Sequence, residues 1–233
     1  MAGRAAAIKA ITLDLDDTLW PIWPAIERAE RELHAWLQQH AAATARRFDV
    51  LALRELRDAV AIERPELAHD FSRQRRESLT RALQLAGDDA ALADPAYDIF
   101  FAARNRVECF ADALPALQSL AERWPIAALT NGNADLQAIG LAPYFKMTVS
   151  ARAFGVSKPD PRIFHEACRQ LGAAPHEVLH VGDDWALDVA GAHHAGLMSA
   201  WVRRDAATRP TSADARADCI VGDLHALIAW LDA

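Results

Sequence analysis

The chain has 233 residues, 52% of them hydrophobic, and a formal net charge of −7 at neutral pH. That length supports one large domain or a core carrying an inserted module, and an acidic balance without a basic tract argues against nucleic acid or an anionic membrane as the main partner. No apolar run reaches membrane-spanning length, Arg4 and Lys9 precede no signal-peptide core, and Cys109, Cys168 and Cys219 are too scattered for a zinc site or a disulfide framework. These features lead us to expect a cytoplasmic protein with free, mostly core thiols, acting as a monomer or homodimer.

In chain order, the apolar run Ile8 to Leu13 predicts a buried strand that ends in Asp14-Leu15-Asp16-Asp17-Thr18-Leu19. Carboxylates concentrated where a strand ends need a cation, and ligands of open α/β sheets sit outside the carboxyl ends of the strands. Residues Trp20 to about Val107 then read as helices only, with apolar faces such as Ile26, Ala29, Leu33, Trp36 and Leu37. Further strands are predicted near 126–130, 147–149, 178–183, 198–202 and 219–221. Helical patterns lie at 115–123, 135–139, 161–171, 187–195 and 224–231, and 205–218 is a polar loop.

Alternating β and α elements predict an α/β fold, a Rossmann-like, mostly parallel sheet flanked by helices, with an inserted all-helical cap. The spacing locates the insertion: 114 positions separate Asp16 from Thr130 and only 28 separate Thr130 from Lys158. A strand-helix-strand unit takes roughly 30 residues, so an extra domain fits only in the first gap. The expected division is 1–20 with 108–233 as a discontinuous catalytic core and 21–107 as the cap, acting as a lid that excludes water.

The strand ends carry a consistent chemistry. Asp14 can act as nucleophile on a phosphoryl group, splitting one hard step into two through an aspartyl-phosphate. Magnesium would neutralise the charge between carboxylate and phosphate, with Asp14 and Asp183 as side-chain ligands and Asp16 beside them. Asp16, two positions beyond Asp14, can protonate the leaving oxygen and then activate water. Thr130 and Asn131 can bind phosphate oxygens, Lys158 adds positive charge, and Asp188 orients Lys158 or a metal-bound water.

In order and spacing, Asp14-Leu15-Asp16-Asp17-Thr18, Thr130-Asn131, Lys158 and Gly182-Asp183 through Asp188 resemble the four motifs of the haloacid dehalogenase superfamily. The resemblance covers about 8 to 203 and implies a magnesium-dependent phosphohydrolase with a helical cap of the first type. Members that remove halide lack an acid at the position of Asp16. Ala10 to Leu19, Trp124 to Ala134 and Val178 to Asp184 also resemble bacterial phosphatases acting on flavin mononucleotide (FMN) and 5-amino-6-(5-phospho-D-ribitylamino)uracil. The implied partner is a small-molecule phosphomonoester. The alternatives are a phosphomutase or a phosphatase of sugar phosphates or phosphoglycolate. A phosphoacceptor domain or a non-catalytic binding protein stands further off.

Other residues invite a functional and a plain reading. Asp17 and Asp184 read as turn or cap carboxylates, His193-His194 as surface, and His180 as a satisfied core histidine. Trp20 and Trp23 could stack on a planar ring or simply pack. Arg73, Arg75, Arg76, Arg104, Asn105 and Arg106 could contact an anion from the cap, although most such residues are solvated helix faces.

Overall fold

A computed structural model describes residues 7–211 and 215–233. Arg4 and part of the loop expected over 205–218 lie outside the described residues. Two compact units divide the chain, 1–21 with 108–132 and 140–233 forming one, and 22–107 with 133–139 the other.

The first unit is an α/β sandwich. Six strands, β1 (Ala10–Leu13), β2 (Ile126–Thr130), β3 (Met147–Ser150), β4 (Val178–Gly182), β5 (Met198–Val202) and β6 (Cys219–Val221), form one sheet in the order β3-β2-β1-β4-β5-β6. Every neighbouring pair is parallel. The residues of β1, β2 and β4 are buried throughout, as strands covered on both faces must be, which is why they read as unbroken apolar runs. Helices α6 (Ala113–Arg123), α8 (Ala151–Phe154), α9 (Pro161–Leu171), α10 (Gly191–His194) and α11 (Leu224–Asp232) belong to this unit. Ile163, Phe164, Ala167 and Ala192 pack with Ala10, Leu129, Val149 and Val178, and full burial of a side chain such as Phe164 contributes about 1.5–3 kcal/mol. The chain builds outward from β1 to β3 and then returns to β4 beside β1. The crevice at the carboxyl ends of β1 and β4 is therefore the topological switch point of the sheet.

The expected helix over 187–195 differs in form. A wide π-helical turn runs over Trp185–Ala190 and passes into α10. Asp184 caps it, its carboxylate accepting from the amides of Ala186 and Leu187 (both 2.8 Å). Trp185 packs edge-on against Trp201, with ring centroids 4.9 Å apart.

The second unit is helical. Its members are α1 (Ile22–His40), α2 (Ala42–Arg47), α3 (Val50–Glu63), α4 (Phe71–Ala86), α5 (Ala93–Arg104) and the short α7 (Leu136–Ile139). Leu33, Leu37, Leu53, Leu79, Leu83, Tyr97 and Phe100 make its core. Asp49 and Asp70 cap α3 and α4, accepting from the amides of Ala52 and Arg73, and Gly87, with φ of 84°, ends α4 in the left-handed conformation that glycine tolerates. The stretch 133–139, placed in the core by sequence spacing, groups with these helices because polar bonds tie it there. Asn133 accepts from Arg104 Nε (2.9 Å) and donates to Ser72 Oγ (3.1 Å), and the Asp135 amide donates to Asn105 Oδ1 (2.9 Å).

Candidate active site

Asp14 is the first residue past β1, and its amide extends the ladder by donating to Val181 O (2.9 Å). The chain then turns sharply: the Leu19 amide donates to Leu15 O and the Asp17 amide to Trp20 O, both at 2.8 Å. Asp17 has φ of 60°, the left-handed region that aspartate enters more readily than most side chains. Trp20 is fully buried and its indole N–H donates to Asp16 Oδ1 (2.9 Å). Of its two readings, packing is the one observed, and it braces the turn that carries Asp16. Trp23 is exposed, with the Arg54 guanidinium 5.7 Å from its ring centroid.

Thr130 closes β2, and its Oγ1 accepts from the Gly132 amide (2.9 Å), which leaves the hydroxyl proton to donate elsewhere. The Asn131 side chain clamps the backbone of Lys158, donating to Lys158 O (3.0 Å) and accepting from Lys158 N (2.7 Å). The amide group expected to reach a phosphate is thus spent on holding the lysine. The Lys158 ammonium, buried, donates to Asp14 Oδ1 and Asp188 Oδ1, each at 2.6 Å.

Asp183 follows β4. Thr18 Oγ1 donates to Asp183 Oδ1 (2.9 Å) and lies 3.5 Å from Asp14 Oδ2. Asp188 projects back from the π-helical turn and holds three donors: Oδ1 accepts from Lys158 and from His180 Nε2 (3.0 Å), and Oδ2 accepts from the Asp184 amide (3.0 Å). Asp14, Asp183 and Asp188 bring one carboxylate oxygen each to within 4.8 Å of one another, and Asp16 is not one of the three.

Three carboxylates around one ammonium leave an excess of negative charge in a buried place. Burial pushes the Asp14 carboxyl well above the usual range, Asp188 and Asp183 add to the rise, and Lys158 opposes it. Asp183 is raised to about 7, by burial first and then by Asp188. Burial acts in the same sense on Asp188, but Lys158 and the His180 hydrogen bond overcome it and hold that carboxyl far below its usual value. Burial would lower Lys158, yet Asp14 and Asp188 raise it, so the ammonium stays charged. A divalent cation fits such a site: Asp188 is tied to Lys158 and His180, whereas Asp14 and Asp183 have raised carboxyls that a cation would neutralise.

The remaining candidates are described within their own units. His193 and His194 are exposed. In the helical unit, Arg75 is buried, its guanidinium 3.6 Å over the Phe100 ring, and burial lowers it to about 9. Arg76 pairs with Asp94 (2.9 Å), Arg106 pairs with Glu32, and the Arg73 side chain is exposed. Arg104 and Asn105 are buried in the contacts to Asn133 and Asp135. Sequence reasoning did not single out Thr18 or Thr12. The available signal was a polar residue inside each of two apolar strands: Thr12 and His180 are direct register partners across β1 and β4.

Comparison with known proteins gives a consistent picture. The model of the family described as hydrolase, haloacid dehalogenase-like hydrolase, matches residues 8–196. The chain is 38% identical over 200 residues to 5-amino-6-(5-phospho-D-ribitylamino)uracil phosphatase YigB of Escherichia coli, covering 84% of each chain. It is 37% identical over 150 residues to a phosphoserine phosphatase of Thermus thermophilus, covering 62% of this chain and 59% of that protein. Among solved structures, a 2-haloacid dehalogenase from Pseudomonas syringae pv. tomato superposes with a TM-score of 0.89 at 37% identity, over 97% of this chain and 98% of that one.

Proposed function

The chain belongs to the haloacid dehalogenase-like hydrolase family, and from that premise we propose that this phosphatase works through an aspartyl-phosphate on Asp14 and depends on magnesium. The observation that carries the proposal is the placement of the Asp14 carboxylate between the Lys158 ammonium, 2.6 Å away, and Asp183, with Asp16 two residues further along a braced turn.

Asp14 attacks the phosphorus of a phosphomonoester, and the bond to the leaving oxygen breaks as the bond to the carboxylate forms. Asp16 gives its proton to that oxygen, then takes one from the water that attacks the aspartyl-phosphate, so free phosphate and the starting carboxylate are restored. The Thr130 hydroxyl and the backbone amides at Asn131 and Gly132 donate to the transferring oxygens, and Lys158 offsets charge on nucleophile and phosphate. Asp14 and Asp183 would hold the metal, which when bound neutralises the repulsion between carboxylate and phosphate, while the Asp16 carboxyl, outside that cluster, keeps the proton. Asp188, itself held by His180 and the Asp184 amide, fixes Lys158.

The proposed substrate is a ribityl phosphate, either 5-amino-6-(5-phospho-D-ribitylamino)uracil or FMN, on the strength of the similarity to YigB along most of both chains. The likeness to a 2-haloacid dehalogenase raises a second reading. It is the weaker one, because a departing halide needs no proton and the acid half of the Asp16 role would be idle. We place the enzyme in the cytoplasm, where three free cysteines, two of them buried, stay reduced.

The test is phosphate release, with magnesium and with chelator, from FMN, the ribitylaminouracil phosphate, phosphoserine, phosphoglycolate, sugar phosphates and nucleotides, beside chloride release from 2-chloropropionate. Metal-dependent release with preference for the two ribityl phosphates is the expected result. Halide release without phosphate release would overturn the proposal.

A further inference from the structure

We propose that His180 is a positioning residue of the phosphoryl-transfer site, setting the Asp188 carboxylate that aims the Lys158 ammonium at Asp14; this rests on the reading of Asp14 and Lys158 given above. His180 lies on β4 and is buried, with Thr12 of β1 beside its Nδ1 (2.9 Å), Asp188 at its Nε2 (3.0 Å) and the Phe164 ring of α9 edge-on at 5.1 Å between centroids. The contacts fix its hydrogens. An ionised carboxylate only accepts, so Nε2 carries the proton and donates to Asp188; Nδ1 then accepts from the Thr12 hydroxyl. Burial disfavours a second proton on the ring.

The same Asp188 oxygen that His180 holds also receives Lys158. With His180 in place, that oxygen is pinned by two donors while Oδ2 is pinned by the Asp184 amide, so the carboxylate has one orientation and the ammonium is set 2.6 Å from Asp14 Oδ1. The chain Thr12, His180, Asp188, Lys158, Asp14 runs from the sheet interior to the nucleophile without a break. Any buried histidine needs partners for its ring nitrogens; the partner of this Nε2 is the carboxylate that also orients a cation, the kind of outer contact whose loss lowers activity without touching substrate.

Two amide variants separate positioning from packing, because glutamine extends its NH₂ to where Nε2 stood and asparagine reaches only the place of Nδ1. With p-nitrophenyl phosphate and magnesium, His180→Asn should lower kcat by about 10- to 100-fold with KM little changed, and His180→Gln should recover most of the loss. Equal activity in both variants, or a loss borne entirely by KM, would overturn the proposal. Should either variant fail to fold, ¹⁵N NMR of the wild-type histidines decides: a neutral ring protonated at Nε2 supports it, and a ring protonated at Nδ1 alone contradicts it. A wild-type enzyme that releases phosphate without phosphorylating Asp14 would defeat the underlying mechanism instead, and the tautomer measurement does not depend on that outcome.

Discussion

A Cβ added at Gly182 would stand 2.7 Å from the Cβ of Asp188 and closer still to its carboxyl carbon and Oδ2. Glycine at the end of β4 therefore lets the π-helical turn fold back and bring Asp188 onto Lys158. Gly182→Ala should displace that carboxylate, costing about 1–3 kcal/mol of stability through overpacking. A fall in kcat larger than the fall in substrate affinity should accompany it. Thermal unfolding and steady-state kinetics check both, and an alanine variant with wild-type Tm and kcat would refute the tight approach.

Lys158 is the sole buried ammonium between Asp14 and Asp188 among the described residues. Removing one member of a buried ion pair strands the rest, typically at a cost of about 3–5 kcal/mol. Lys158→Met should lose stability of that order, and magnesium should restore part of it by supplying positive charge. Denaturant melts with and without magnesium test this; equal melting of the variant and the wild type without metal would rule it out.

Asp183 gives a pH signature. Its folded carboxyl is raised to about 7, above that of the unfolded chain, so between the usual carboxylate range and about pH 7 the folded state binds the extra proton. Stability from this group is therefore fully present at low pH and is lost as pH rises towards 7 in metal-free protein. Magnesium competes with that proton, so the rise in Tm on adding magnesium should be larger at pH 8 than at pH 5. The same rise at both values would show that Asp183 does not bind the metal.

Asp16 supplies protons in both half-reactions in this scheme. Asp16→Ala should slow phosphoenzyme formation and breakdown, each by about 10²- to 10⁴-fold. Rapid-quench kinetics resolves the two steps; if only the magnesium requirement changed, the acid-base role would fall.

Much of this was legible because the decisive elements are short and chemically loud. β2, β5 and β6 read directly as apolar runs, and Asp14, Thr130, Lys158 and Asp183 each stand at or soon after a strand or short helix end, where functional groups of open sheets collect. What escaped depended on tertiary register. Thr12 and His180 are 168 positions apart and meet only because β1 and β4 are neighbours in the sheet. Asn131 read as a phosphate ligand by type, but its partner, the Lys158 backbone, lies on another loop. The stretch 133–139 belongs with the helices through side-chain bonds to Ser72, Arg104 and Asn105 that no local periodicity reports.

The aspartyl-phosphate is covalent and can be trapped by acid quench of the first turnover with ³²P-labelled substrate and magnesium, followed by peptide mapping. The expected result is a hydroxylamine-labile phosphoryl group on Asp14, and its disappearance in Asp14→Asn together with a loss of turnover of about 10⁴-fold or more while the fold is kept. Label on another residue, or an Asp14→Asn enzyme that still turns over with magnesium at the wild-type rate, would contradict it.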